Sequence, residues 1–237
     1  EDVLARLAAG ESLEGEVLHD MDLEGQRFRK TNLRGTVFQN VNLAGADFSH
    51  ADLTNATFLS SVLDGARAQA ATFRDVVFTQ CQAGGCEISS CDLRNAAFFV
   101  CNLSKSRLED CNLQDTFFAD SDLTGAQLRG SRLFNAGASD TKFVGADFSA
   151  ADLSNGLSLT SDSSSARFAN SVLRDSTLRE CKFAEADLGT ARMERTDCSK
   201  SDLTGVASLP ADCSNLDFSG ANLSQLDLSG KIFQDPD

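Results

Sequence analysis

The sequence predicts an all-β solenoid, in which the chain winds as a coil and each five-residue unit makes one side and one corner. The first observation is a strict spacing. From Leu13 to Phe233 every fifth position is a candidate core residue, and 37 of these 45 positions hold Leu, Phe, Ile or Met. The second observation is that a small residue usually stands two positions earlier, and Asp or Asn one position earlier. A period of five fits neither an amphipathic helix nor a single long strand.

A longer period of 20 residues is superimposed on the period of five. Phenylalanines recur at this step, so we expect their rings to stack inside one side of the coil. A second column holds Asn or Asp and a third holds glycine, and these residues tolerate the left-handed backbone that a corner requires. The three columns are Phe38, Phe58, Phe78, Phe98 and Phe118; Asn55, Asp75, Asn95, Asp115, Asn135, Asn155 and Asp175; and Gly25, Gly45, Gly65, Gly85, Gly125 and Gly145.

The segments GADFSHADLTNATF (45–58) and GADFSAADLSN (145–155) follow the motif A-(D/N)-L-x-x and resemble the pentapeptide-repeat family. The resemblance covers residues 11–233. It implies a right-handed quadrilateral parallel β-helix, with four pentapeptides per coil and the fifth-position residue pointing inward. On this basis we expect residues 11–237 to form a single domain of about 11 coils, roughly 50 Å long at a strand spacing of about 4.8 Å.

Residues 1–10 lie outside the repeat, and the spacing of VLARLAA favours a short N-terminal helix that caps the open end of the core. Two stretches interrupt the pattern. Residues 156–165 place Ser at both fifth positions, and residues 206–213 place Ser208 and Cys213 there, with Pro210 at a corner. Each stretch is predicted either to bulge out as a loop or to keep the coil with a thin core.

The charge of the chain narrows the classes of partner. The 237 residues include 35 acidic and 21 basic side chains, for a formal net charge of −14. This charge disfavours direct binding to nucleic acid, whose phosphates would repel it, and is compatible with a protein that has a basic groove. No apolar run approaches the roughly 18 residues of a membrane span, so we expect no membrane insertion. The opening EDVLARLAAG lacks a signal-peptide pattern and begins with Glu1, which indicates a processed chain or a piece of a larger protein.

The sequence offers no motif for catalysis, for a cofactor or for a metal. It shows no Ser-His-Asp set, Gly-rich phosphate loop or HExxH, and His19 and His50 are expected on the exterior. Six of the eight cysteines occupy the inward small position, and Cys198 and Cys213 occupy fifth positions. We interpret them as small buried groups rather than as disulfides or metal ligands. Free thiols favour a reducing compartment such as the bacterial cytoplasm, with a secreted effector as the alternative.

One side of the predicted coil carries outward residues that are largely apolar. Between residues 36 and 119 that side holds no charge, although 24% of the chain is charged. A contiguous apolar patch is typical of an interface. Alternatively, β-branched and aromatic residues simply suit flat stacked strands. The residues of this candidate interaction face are Val37, Leu59, Val77, Phe99, Val100 and Phe117.

Another side carries an alternating column of charge. Residues one position before the core positions change sign from coil to coil, which predicts a ladder of ion pairs between neighbouring coils. The column begins with Arg27, Asp47, Arg67, Glu87 and Arg107.

These features favour a non-enzymatic structural scaffold that binds a protein partner, or a second copy of itself as a homodimer, through the apolar side. It is expected to be a domain of a larger bacterial protein, such as an accessory protein of a secretion system. The alternative follows from the resemblance to family members that protect DNA gyrase. In that case the chain is an acidic DNA mimic that binds type II topoisomerase, as in quinolone resistance. A mimic needs a continuous negative stripe, whereas the charge column mixes its signs.

Overall fold

The computed structural model describes residues 3–233 and shows one short helix followed by a ladder of short strands. The helix α1 spans Val3–Ala8, and nine strands form one parallel sheet in which sequence neighbours pair from β1 to β9. The strands are β1 (Val17–His19), β2 (Val37–Gln39), β3 (Thr57–Leu59), β4 (Val77–Thr79), β5 (Ala97–Phe99), β6 (Phe117–Ala119), β7 (Gly137–Ser139), β8 (Leu157–Leu159) and β9 (Thr177–Arg179).

The strands repeat at a constant step of 20 residues, from Val17 paired with Val37 to Leu157 paired with Thr177. Three further columns of isolated parallel bridges follow the same step and begin at Asp22–Asn42, Arg27–Asp47 and Asn32–Asp52. The chain is therefore a four-sided parallel β-solenoid, as the sequence predicts. Its sheet has about eight turns, fewer than the expected 11 coils, because this side continues beyond Arg179 only as the isolated bridges Thr177–Asp197 and Asp197–Asp217.

Many corners combine a left-handed residue with a side-chain hydrogen bond. The predicted Asn/Asp column has φ between 57° and 61°, and the predicted Gly column between 62° and 68°. The Asp or Asn before each inward residue accepts the backbone N–H two residues later. Examples are Ser49 N–H to Asp47 Oδ1 at 3.0 Å, and Thr54 N–H to Asp52 Oδ1 at 3.0 Å. These Asx turns explain why the repeat places Asp or Asn at that position.

The inward residues form one core that follows the axis of the solenoid. The rings of the predicted phenylalanine column, Phe38 to Phe118, stack nearly parallel with centroids 4.6 to 5.0 Å apart, which confirms the prediction. Phe48 meets this column edge-on, with its ring at 87° to that of Phe58. Both geometries are favourable for aromatic pairs.

The interruption at residues 156–165 keeps the coil and thins the core. Its strand β8 pairs in register with both neighbours, and Ser163 is buried. Ala138 and Ser158 stand where the phenylalanine column would continue beyond Phe118. They leave an apolar cavity of about 60 Å³ that reaches the surface near Gly156 and Leu157.

The interruption at residues 206–213 shifts the register by one residue. The five-residue spacing predicts Ser208 as the inward residue, and this prediction is wrong, because Leu209 is buried in its place, with 2% of its surface exposed. Ser208 pairs with Asp187, a step of 21 residues, and donates its hydroxyl to the Asp187 carboxylate at 2.8 Å. The original register returns at Cys213, which is buried. A larger apolar side chain is thus available one residue later, and the backbone adjusts to bury it.

The helix α1 packs on the first coil. Val3 and Leu7 are partly buried against the core. The Arg6 guanidinium reaches down the first coil and donates to Glu16 Oε1 at 2.8 Å and to the Ser12 carbonyl at 2.7 Å. The helix thus covers apolar surface at this end of the solenoid, while the predicted boundary between residues 1–10 and 11–237 remains a prediction.

Candidate interaction face

We call the outward side of the sheet the strand face, and define it as the first and third residues of β1 to β9 together with the corner residue Val100. The middle residue of each strand points inward, so the other two point to solvent. Of the 11 large apolar side chains that are exposed among residues 3–233, six lie on this face. Three of the other five lie in the last described coil. The six are Val17, Phe99, Val100, Phe117, Leu157 and Leu159.

The six residues predicted for the interaction face all lie on the strand face, but they differ in exposure. Phe99, Phe117 and Val100 are 37%, 39% and 52% exposed. Val37, Leu59 and Val77 are only partly exposed. Among these six, the most exposed residues therefore lie in the middle of the sheet, at β5 and β6.

The phenylalanines at the middle of the face form a raised pair. The ring centroids of Phe99 and Phe117 lie 6.2 Å apart, with the ring planes tilted by 55°. Phe117 also leans over the next strand, because a Cβ placed on Gly137 would lie only 2.7 Å from its ring. The missing side chain of Gly137 thus gives the Phe117 ring its place on the sheet.

Three exposed residues of the face, Val17, Leu157 and Leu159, were not among those predicted from the sequence. Leu157 and Leu159 are 47% and 37% exposed, and they flank the inward Ser158 in strand β8. The signal was present, because 20-residue steps from Val17 and Val37 lead to Leu157. The serines of residues 156–165 pointed instead to a break in the coil.

The strand face is neutral along nearly its whole length. No outward residue of β1 to β8 is Asp, Glu, Lys or Arg, and the first such residue is Arg179 in β9. Acidic residues stand at corners on either side of the face, among them Asp20, Asp120, Asp140, Asp75 and Asp115. The result is an apolar stripe between two partly acidic edges.

Val100 is the one apolar side chain in the corner column that runs in 20-residue steps from Asp20 to Glu180. It has φ of 56°, a conformation that is unfavourable for a β-branched side chain. Equivalent corners one and two turns earlier hold Gln80 and Ser60, also with positive φ. An apolar side chain that is both exposed and strained is more typical of a functional surface than of a stabilising one.

The alternating charge column is only partly an ion-pair ladder. Its backbones pair from coil to coil, from Arg27–Asp47 to Arg167–Asp187. Within this column, Arg107 Nη1 lies 3.8 Å from Glu87 Oε1, so these two residues form an ion pair. Asp47 forms its ion pair outside the column, because its Oδ2 lies 3.7 Å from Arg29 Nη1. The positive and negative groups remain interleaved, so this side offers no continuous negative stripe over these coils.

The cysteines are part of the core. All eight are buried and free. Burial raises the pKa of the Cys86 thiol to about 12, and it also raises the pKa of Cys198. Among residues 3–233 no cluster of His, Cys, Asp and Glu could hold a metal ion. In the same part of the chain, no helix has the length and apolar character to cross a membrane.

Four sides, a 20-residue step and stacked Asx corners define the class: a parallel β-solenoid built from pentapeptides. One family model, described as a pentapeptide repeat region, matches residues 31–108. A second, described as pentapeptide repeats (8 copies), matches residues 101–136 and 171–206. The chain belongs to the pentapeptide-repeat family.

Solved structures with the same fold are only distantly similar in sequence. The plasmid-mediated fluoroquinolone resistance protein QnrB1, in one trypsin-treated variant form, is 19% identical over 92% of this chain and 87% of its own, with a TM-score of 0.57. A second trypsin-treated variant of QnrB1 is 20% identical over 87% and 89%, with a TM-score of 0.55. HetL, involved in heterocyst differentiation regulation in the cyanobacterium Nostoc sp. strain PCC 7120, is 21% identical over 98% and 95%, with a TM-score of 0.44. No curated protein matches the chain significantly.

Proposed function

We propose that this chain is a non-enzymatic scaffold that binds protein through its strand face. The observation that carries the proposal is the neutral, apolar sheet, which concentrates six exposed large apolar side chains on one side of an otherwise highly charged protein. Exposed apolar patches of this kind mark binding surfaces. The parallel sheet holds them in fixed positions, so the surface is preorganised and little conformational entropy is lost on binding.

A photo-crosslinking phenylalanine analogue tests this proposal directly. It is placed at Phe99 in one variant and at Phe134 in a matched control, which is exposed to a similar extent (37% and 40%) but lies outside the strand face. After irradiation in a bacterial extract, we expect protein adducts from position 99 and none from position 134. Equal adducts from both positions, or none from position 99, would contradict the proposal.

The DNA-mimic alternative receives less support from the surface. A mimic of a DNA duplex presents regularly spaced negative charge, whereas the column from Arg27 to Arg167 interleaves arginines with carboxylates. The similarity to QnrB1 concerns the fold, at 19% identity. Binding of the purified chain to a type II topoisomerase, measured at low and high salt, separates this alternative from the strand-face proposal, because charge-driven binding weakens steeply with salt.

A further inference from the structure

We infer that the protein bound by the strand face is a second copy of this chain, packed face to face as a twofold dimer. The inference rests on the proposed function and names the partner. Three observations support it: the charge of the face, the pattern of large and small side chains at its centre, and its area.

The charge of the molecule restricts how two copies can approach. Each copy carries a net charge of −14, so most pairs of surfaces repel. The strand face is the exception, because the outward residues of β1 to β8 include no Asp, Glu, Lys or Arg. A basic partner would find no carboxylate to pair with on the stripe itself. The acidic groups lie at its edges, at corners such as Asp75 and Asp120.

The side chains at the centre of the face complement themselves. Strand β5 presents Ala97 and Phe99, and strand β6 presents Phe117 and Ala119. A twofold axis parallel to the solenoid axis, lying between two stacked faces, reverses each strand over its equivalent in the other copy. Phe99 then faces Ala97 of the second copy, and Phe117 faces Ala119. A homodimer interface must be complementary to itself, and this alternation places a large ring over a small residue in both strands.

The area is sufficient for a modest dimer. Nine strands at a spacing of about 4.8 Å span roughly 40 Å, and the flat part of each side is about 13 Å wide, so each copy contributes about 500 Å². Two copies together bury about 1,000 Å², near the lower limit of specific interfaces. We therefore expect a reversible dimer that depends on protein concentration rather than a permanent one.

Salt dependence distinguishes this dimer from binding to a basic partner. High salt screens the repulsion between two acidic copies and leaves the apolar contact largely unchanged, so it should strengthen self-association. Binding that depends on opposite charge weakens with salt instead. The experiment is sedimentation velocity of the purified chain over a range of concentrations, in about 0.05 M and about 0.5 M NaCl.

We expect a monomer–dimer equilibrium that shifts toward the dimer at high salt. Replacing both phenylalanines (Phe99→Asp and Phe117→Asp) should weaken the dimer at least tenfold, whereas Phe134→Asp, on another side, should not change it. Because Phe117 also packs over Gly137, the double variant could lose stability. The second variant is therefore Val100→Asn, which suits the corner backbone and should weaken the dimer without lowering the unfolding temperature.

A chain that stays monomeric at both salt concentrations overturns the inference, and so does a dimer that neither set of substitutions weakens. The crosslinking experiment distinguishes failure of the dimer inference from failure of the proposed binding function. Adducts from position 99 to a different protein would retain the binding scaffold and refute the second copy. An absence of adducts would refute the binding scaffold itself.

Discussion

Val100 shows at the scale of one residue how a surface position can depart from its local preference. The left-handed corner favours Gly, Asn or Asp, which occupy many of the equivalent positions in the structure. A β-branched side chain there crowds the backbone, and the cost is of order 1–3 kcal/mol. Since Val100 is 52% exposed, burial in the monomer offsets little of that cost.

Val100→Asn should therefore stabilise the monomer by about 1 kcal/mol, because Asn tolerates positive φ. Urea unfolding of wild type and variant, carried out at a protein concentration where both are monomeric, measures the difference. The reciprocal control is Gln80→Val at the equivalent corner one turn earlier, also with positive φ, which should destabilise by a similar amount. A less stable Val100→Asn variant would show that the corner is not strained.

Strands β7 and β8 show at the scale of an element what a small side chain does to a continuous column. Ala138 follows the stacked ring of Phe118, and Ser158 follows Ala138. The core there contains a cavity of about 60 Å³, lined by Phe143, Phe148 and other apolar residues. An unfilled apolar cavity forfeits dispersion contacts along its lining.

Ala138→Val should fill much of this cavity and stabilise the protein by roughly 1 kcal/mol, since cavity volume costs about 24 cal/mol per Å³. Thermal unfolding monitored by circular dichroism should show a midpoint about 2–4 °C higher. The control is Ala126→Val at a fully buried position that does not line the cavity, where added volume should destabilise. If both variants lost stability, the cavity would be too constrained to accept the two added methyl groups.

At the scale of the whole molecule, the pKa values of seven Asx-turn carboxylates, spread along the solenoid, are lowered. Hydrogen bonds from Thr204 lower the pKa of Asp202. Burial opposes the effect at Asp147, but hydrogen bonds from Ser149 and the charges of Arg167 and Arg129 still hold its pKa below its usual value. The same direction holds for Asp47, Asp52, Asp212, Asp217 and Asp227.

The solenoid should therefore unfold in acid. A carboxylate whose pKa is lower in the folded state contributes stability above its unfolded pKa, near 3.9, and loses that contribution as the pH falls through the folded pKa. Asn can accept the same backbone N–H without titrating, as Asn102 does for Ser104. Acid titration of the Asp147→Asn, Asp202→Asn variant should show its unfolding midpoint at lower pH than wild type. Asp120→Asn, at an exposed corner, is the control for loss of charge and should leave the midpoint nearly unchanged.

The fold was largely predictable because a single step repeats. The position of each inward residue, the phenylalanine column and the left-handed corners all follow from counting, since each unit meets nearly the same surroundings as the last. The five-residue spacing gave the wrong inward residue at Ser208. There the backbone is shifted by one residue, and this shift buries the larger apolar side chain of Leu209. Which of two neighbouring side chains becomes buried depends on how each packs in the core. The spacing of residues along the sequence carries no information about that packing.

The candidate face was predictable only in part, for a related reason. The sequence assigns Phe99 and Phe117 to the outside, but it does not show that Phe117 leans over Gly137 or that its ring approaches Phe99. These contacts depend on side-chain orientation between neighbouring strands. The exposure of Leu157 and Leu159 was missed because serines at core positions resembled a loop.

Because the 20-residue step is constant, the length of the solenoid is set in equal increments of one coil. Inserting or removing 20 residues between equivalent corners restores every column to its place and changes the length by about 4.8 Å. Insertions of 5, 10 or 15 residues would rotate all later sides, moving apolar residues from one side of the rod to another. The single extra residue near Leu209 is tolerated because the chain regains its phase within five residues, at Cys213. Selection can thus tune the reach of such a rod in discrete increments while leaving its surface pattern intact.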